Sequence, residues 1–322
     1  MSNSLRTEFK IAKGNCLFNL SSQFLTIGSC FSDMIAEHLT QNKFQVLGNP
    51  FGTVYNPISL FRLLQEEDFN DSKFIDREGI WLHHDFHSEF RNSSKEELAE
   101  VISDTKRLSN ENLRNADCLI ITYGTAWIYE TLNDSYIVSN CHKTPQKYFN
   151  KRLLSIEEMM IAQDEFLNFV FSVNSKIQVL LTLSPVRHTK DGIPENQLSK
   201  SSLRLLCDRG QSSFQKVEYF PSYEIMMDDL RDYRFYKDDL IHPTSFAENY
   251  IWEKFRDTYL DKQANEFIDE WKKITSALAH KPFNPESKEH RRFVDASIQK
   301  LRQMSEKVNV SKEIALFQQQ LD

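Results

Sequence analysis

The sequence predicts an α/β protein built on a parallel sheet that is covered on both faces. Residues 24–27, 117–122 and 177–183 are short, near-continuous apolar runs rich in β-branched side chains, the pattern of strands with no solvent-facing side. Segments with helical periodicity lie between them, which favours parallel pairing through crossover helices. Each run ends in turn-forming residues: Gly28-Ser29-Cys30, Tyr123-Gly124-Thr125 and Ser184-Pro185. Ligands of such sheets bind beyond the carboxyl ends of the strands, so these three ends nominate a site.

In chain order, residues 1–21 read as an irregular or edge-strand lead-in. After the first strand, Phe31, Met34, Ile35 and Leu39 share one helical face, with Asp33 and Glu37 on the other. A strand that breaks at glycine into a helix lifts a small side chain clear of the sheet and aims free helical N–H groups at it. Ser29 and Cys30 stand on that turn, and both are nucleophile types. A second strand is expected at 44–47. Two Pro, two Gly and two Asn then make 48–57 a structured loop, and a helix follows over 58–65. Residues 74–90 read as a hairpin turning at Arg77-Glu78-Gly79, and Ser93/Ser94 with Glu96 and Glu97 open a helix to about 113. Residues 127–139 suggest another hairpin, 154–173 and 196–207 helices, and 217–220 a last strand. From 261 onward the chain turns to charged amphipathic helices, marked by Trp271, Ile274 and Leu278 and by Phe293, Ile298 and Leu301, with HKPFNP as a linker. The expected division is an α/β domain over 1–260 and a helical extension over 261–322, packed on the body or on a second copy.

Composition excludes several classes. The 322 residues are 40% hydrophobic and 26% charged with a net charge of −7, which argues against a nucleic-acid surface. No run approaches the roughly 18 apolar residues of a membrane span, and the polar N-terminus lacks a signal-peptide core, so a cytoplasmic setting is expected. Five scattered cysteines without a CxxC pair read as reduced thiols rather than a disulfide frame or zinc knuckle. Only eight glycines occur, where the usual share is about 7%, so each is expected where the backbone demands it. Gly28, Gly48, Gly52 and Gly124 fall in loops expected to converge.

Late in the chain, Asp239 and His242 stand three apart on a loop before a helix with Phe246, Tyr250, Ile251 and Phe255 facing inward. The carboxylate can take one ring nitrogen and leave the other facing a nucleophile. Pro243 and Thr244 suit N1-like and N-cap positions. Taken together, GSCFS, NPFGTVYNP, TYGTAW, SPVRHTKDG, the SKSSLR run, YFPSYEI and DYRFYKDDLIHP resemble the GSCFA family in content and order over roughly residues 10–260. That family is similar to the SGNH (GDSL-like) hydrolases, a flavodoxin-like three-layer α/β/α fold with esterase, lipase and acyltransferase members.

The resemblance implies Cys30 as nucleophile, with Ser29 as the alternative, His242 as general base and Asp239 as its orienting partner. It also implies an oxyanion hole that includes the N–H groups of Cys30 and Gly52. The family pattern Gly-x-Asn-Asp has become Gly124-Thr125-Ala126-Trp127, so the usual asparagine is missing, and Asn56 or Thr125 is the expected substitute. An acyl-enzyme on Cys30 would be resolved by water or by a carbohydrate or other hydroxyl acceptor, and a non-catalytic binding module is the third reading. The expected ligand is a small acyl ester, thioester or acylated carbohydrate, with no nucleic acid, membrane, metal or cofactor, and with a homodimer through the C-terminal helices.

His87, Arg187 and His188 are candidate substrate contacts; the resemblance hints that His87-Ser88 borders the pocket. His83, His84, Asp85 and His87 could be imagined as a metal cluster, but neighbours on a strand point to opposite faces.

Overall fold

The computed structural model describes residues 7–280 and 282–321. β1 (Gln23–Gly28) leads through Ser29 into α1 (Cys30–Gln41), and β2 (Gln45–Gly48) leads through the 49–56 loop into α2 (Pro57–Gln65). A ribbon of β3 (Phe74–Arg77) and β4 (Ile80–His83) precedes α3 (Lys95–Asn115) and β5 (Cys118–Tyr123). Next come β6 (Trp127–Thr131), β7 (Ile137–Val138), β8 (Phe149–Leu153) and α4 (Ile156–Val173). β9 (Gln178–Leu183), α5 (Ile193–Ser213) and β10 (Val217–Phe220) follow. A short α6 (Ser222–Glu224) widens into a π-type turn over Ile225–Leu230. Then come α7 (Ser245–Tyr259), α8 (Lys262–Ala279), α9 (Lys288–Met304) and α10 (Ser311–Gln318).

The main sheet has the order β10-β9-β5-β1-β2, and every neighbouring pair is parallel. Counted along the chain this is the 2-1-3-4-5 arrangement of flavodoxin-like folds, whose direction of winding reverses between the first and third strands. That reversal falls between β1 and β5, where Gly28 pairs with Thr122. Alternate residues of each strand feed two cores. Leu25, Ile27, Leu119, Ile121, Val179 and Leu181 pack with α2–α5, whereas Phe24, Ile120, Leu180 and Phe220 pack with α1, α7 and the C-terminal helices. The C-terminal helices therefore extend one covering layer of their own body, with the Trp271 indole donating to the Gln41 carbonyl at 2.8 Å.

Several local expectations are corrected. The hairpin at 127–139 gains a third strand, β8, which pairs antiparallel with β6. α5 runs past both expected ends, because Pro194 is tolerated in its first turn and Leu203, Leu206 and Gly210 keep its buried face going. Phe246 is 64% exposed and stacks on Phe235; the inward positions of α7 are Ala247, Ile251, Trp252 and Phe255. Thr244 caps α7, accepting from the Ala247 N–H, which puts Pro243 just outside the helix rather than at its first position. Residues 7–21 are irregular apart from an isolated bridge between Phe18 and Leu260. The remainder of that lead-in, residues 1–6, and Lys281 of the linker lie outside the described residues.

Among the described residues no helix is long and apolar enough to cross a membrane. His83 and His84 are buried and each bonds a backbone carbonyl, of Asn70 and Asn140, while Asp85 takes Arg62 and the Tyr136 hydroxyl. Among the described residues no group of three or more His, Cys, Asp or Glu side chains could hold a metal ion.

Candidate active site

β1 ends in Gly28 with φ +140°, and a Cβ there would lie 2.3 Å from the Thr122 carbonyl oxygen. Only glycine lets the chain turn this close to β5. Ser29 then takes the N-cap of α1 without capping it: its side chain is fully buried and its Oγ has no partner. Cys30, the first helical residue, is half-buried. The turn thus points the hydroxyl inward and leaves the sulfur at the open N-terminus of a helix. The N–H groups of Cys30 and Phe31 favour a thiolate, but burial, and next the neighbouring Asp33 carboxylate, hold the Cys30 thiol above its ordinary range. Asp33 accepts from Asn49 Nδ2 at 2.7 Å, and burial raises its own pKa.

Asp239 and His242 meet as their spacing suggested. Asp239 Oδ2 lies 2.7 Å from His242 Nδ1, while Oδ1 accepts from the N–H groups of His242 (2.9 Å) and Ile241 (2.8 Å). Those two backbone donors first, and the ring next, hold the Asp239 carboxyl down at about 2. The contact assigns the ring proton to Nδ1 and leaves Nε2 with the lone pair. The loop is braced by Lys237 N–H to His242 O (2.8 Å), Thr244 N–H to Phe235 O (2.8 Å) and Arg187 N–H to Ile241 O (3.3 Å). The side chains of Asp239 and His242 are nevertheless 44% and 43% exposed, and among the described residues no hydrogen bond joins His242 to Cys30.

The loops expected to supply the oxyanion hole are largely committed elsewhere. Gly52 N–H donates to Asn49 O at 2.8 Å, and the N–H groups of Gly124 and Thr125 both donate to Tyr55 O, at 2.9 and 3.0 Å. Asn56 is consumed as the N-cap of α2: Oδ1 accepts from Ser59 N–H, and Nδ2 donates to Ser59 Oγ. Thr125 Oγ1 accepts from Trp127 N–H and shares a hydrogen bond with Ser199 Oγ. The expected substitutes for the missing asparagine are therefore holding the backbone, and the amides that face the sulfur are the Cys30 and Phe31 N–H groups of α1.

His87 packs against Gly52, where a Cβ would come within 2.3 Å of it. Arg187 lies over the rings of Tyr233 and Tyr236 at 5.6 and 5.0 Å, and its Nε is buried without a partner. His188 sits edge-on to Tyr55 at 5.2 Å; burial first, then Lys200 and His242, push it down to about 3, so it is neutral. Sequence reasoning did not single out Lys200 as a site residue. It lies on α5 at 1% exposure, with Nζ donating to the carbonyls of Gly124 (2.8 Å) and Ser184 (2.7 Å) at the ends of β5 and β9. A lysine in the SKSSLR run, four residues before Arg204 on a helix, reads as surface charge; only the sheet order shows that it lies under the site.

A parallel sheet of flavodoxin order with a cysteine at the switch-point helix and a carboxylate–imidazole pair on a late loop defines an SGNH-like α/β architecture. The GSCFA family model matches residues 23–255, and the model of the GSCFA domain protein C-terminal domain matches residues 271–322. The chain belongs to the GSCFA family. None of the curated proteins matches it. Similar solved structures include a carbohydrate esterase family 3 protein from Talaromyces cellulolyticus, at 10% identity and TM-score 0.37, covering 77% of this chain and 99% of that one. An acetyl esterase variant with acetate ion shares 11% identity at TM-score 0.35, covering 79% and 99%. A family 3 carbohydrate esterase from Clostridium thermocellum shares 11% at 0.34, covering 74% and 94%.

Proposed function

We propose that this chain is an acyl hydrolase of the SGNH type, acting on an ester or thioester through an acyl-enzyme on Cys30. The observation that carries the reading is the sulfur at the first position of an uncapped helix at the sheet's switch point, served by its own helical N–H groups. The Cys30 thiol gives its proton to solvent, the thiolate adds to the acyl carbonyl, the α1 amides stabilise the oxyanion, and collapse breaks the acyl–oxygen or acyl–sulfur bond, the leaving group taking a proton from solvent as it departs. His242 Nε2, held in its tautomer by Asp239, then takes a proton from water as the hydroxide adds to the acyl group and the thiolate leaves.

The exposure of the His242 ring also supports a larger acceptor, so acyl transfer to a sugar or other hydroxyl is the second reading. Arg187 and His188 flank the base loop and His87 flanks Gly52, positions suited to substrate contact. All five cysteines are free, which supports a reducing, cytoplasmic setting.

The test is turnover of short p-nitrophenyl and acyl-thioester substrates by the wild type and by Asp239→Asn. The substitution keeps the loop's shape but removes the anion that fixes the ring, so kcat is expected to fall about 10²–10⁴-fold with the fold retained. Unchanged turnover in Asp239→Asn would contradict the assigned role.

A further inference from the structure

Arg187 is a cation without a counter-ion. Its guanidinium lies over the rings of Tyr233 and Tyr236 at 5.6 and 5.0 Å, and its Nε is buried without an acceptor. No ion pair joins it to a carboxylate among the described residues. Ring faces attract the charge but leave the guanidinium's N–H donors without a strong acceptor, and a desolvated donor is costly to keep unpaired. The guanidinium lines a cavity of about 160 Å³ whose other walls include Met226, Met227, Tyr233 and Tyr236. Arg231 and Asp232 also border it, but both have partners. Arg231 stands 3.8 Å from Asp228, and Asp232 accepts from the Arg234 N–H at 2.9 Å with Arg234 Nε 3.7 Å away. The cavity therefore carries one uncompensated positive charge.

The cavity abuts the base loop. The Arg187 N–H donates to Ile241 O at 3.3 Å, the Lys237 N–H donates to His242 O at 2.8 Å, and Tyr236 forms an isolated antiparallel bridge with Pro243. Met226 and Met227 stand on the π-type turn Ile225–Leu230, a geometry that recurs at functional sites. The Tyr236 hydroxyl donates to Met227 Sδ at 3.3 Å and ties two walls together. We propose that this cavity is a subsite for a carboxylate on the alcohol or thiol component of the substrate, with Arg187 as the residue that selects it. A guanidinium fork matches a carboxylate with two parallel hydrogen bonds, and the thioether and ring walls suit a short carbon chain. A single cation between apolar walls matches a monoanion, whereas a phosphate dianion would bury charge unanswered. Volume sets the size: a cavity of about 150 Å³ holds one benzene, so the bound group has about six non-hydrogen atoms. His242 serves the oxygen that arrives at the acyl carbonyl, so a cavity built on its loop lies on the side of the leaving and accepting groups. The inference rests on the acyl-enzyme reading for that role, yet one arm of its test needs no turnover.

The first experiment compares kcat/KM for S-acetyl-3-mercaptopropanoate and its carboxamide, S-acetyl-3-mercaptopropanamide, in wild type, Arg187→Lys and Arg187→Met. Wild type is expected to favour the carboxylate about tenfold or more, mostly through KM, because a hydrogen-bonded charge pair is lost in the amide. Arg187→Lys should keep part of that preference, and Arg187→Met none. Equal values in wild type, or a preference that survives in Arg187→Met, would overturn the proposal.

The second experiment reads binding alone. The Arg187 Nε–H resonance, identified by its loss in Arg187→Lys, is followed as propanoate, propanamide or inorganic phosphate is added to the wild type. A saturable shift with propanoate and none with propanamide is expected. A stationary resonance, or a larger response to phosphate, would sink the carboxylate subsite. A propanoate shift without turnover of either thioester would uphold the subsite and count against the acyl reading. Turnover of both thioesters with no preference would do the reverse, so the two fail separately.

Discussion

Replacing Cys30 with alanine is expected to reduce ester and thioester turnover by about 10³-fold or more while leaving the melting temperature nearly unchanged. The magnitude follows from the role: removing a covalent nucleophile leaves only binding and residual electrostatics to lower the barrier. The stability expectation follows from position, since Cys30 is half-buried at a helix N-terminus and its removal opens no large cavity. Ser29→Ala is the decisive companion. Its Oγ is buried without a partner, so the variant should retain turnover within a few-fold. Activity that survived Cys30→Ala but not Ser29→Ala would move the nucleophile one residue back. Initial rates and circular dichroism melts on the two variants decide it.

Gly28→Ala carries the largest expected cost in stability. The added Cβ would stand 2.3 Å from Thr122 O, with Thr122 N and C also within 3 Å, and the backbone sits at φ +140°. All three clashing atoms are backbone of the adjacent, fully buried β5, so no side chain can swing away. Strain plus displacement should cost about 4 kcal/mol, or a fall in melting temperature of roughly 8 °C. Because Ser29 N–H bonds Thr122 O across the same contact, turnover should fall more than stability alone explains. A scanning calorimetry trace within 2 °C of wild type would contradict this account of the turn.

The fold was legible because parallel strands buried on both faces leave an unmistakable mark. The apolar runs ending at Ile27, Thr122 and Leu183 need no context to be read, and their carboxyl ends name the site. The Asp239–His242 contact was equally readable, since three residues of separation on a loop bring a carboxylate onto an imidazole. What failed was anything that depended on which partner a polar group finds. Asn56 looks like a free amide until Pro57 opens α2 and the orphaned Ser59 N–H claims it. Gly52, Gly124 and Thr125 look like open donors, but their N–H groups hold the loops together. Phe246 fits a helical face by periodicity yet pairs with Phe235 at the surface. Lys200 was missed for the opposite reason. A lysine's burial is a property of the assembled sheet, and no local pattern announces it.

The central claim, that Cys30 carries the acyl group, is tested most directly by rapid acid quench of the protein during turnover of a short acyl ester, followed by intact mass and peptide mapping. A single acyl mass increment on the peptide containing Cys30, absent in Cys30→Ala and accumulating in Asp239→Asn, is the expected result. An increment on another residue, or rapid turnover with no adduct at any quench time, would contradict it.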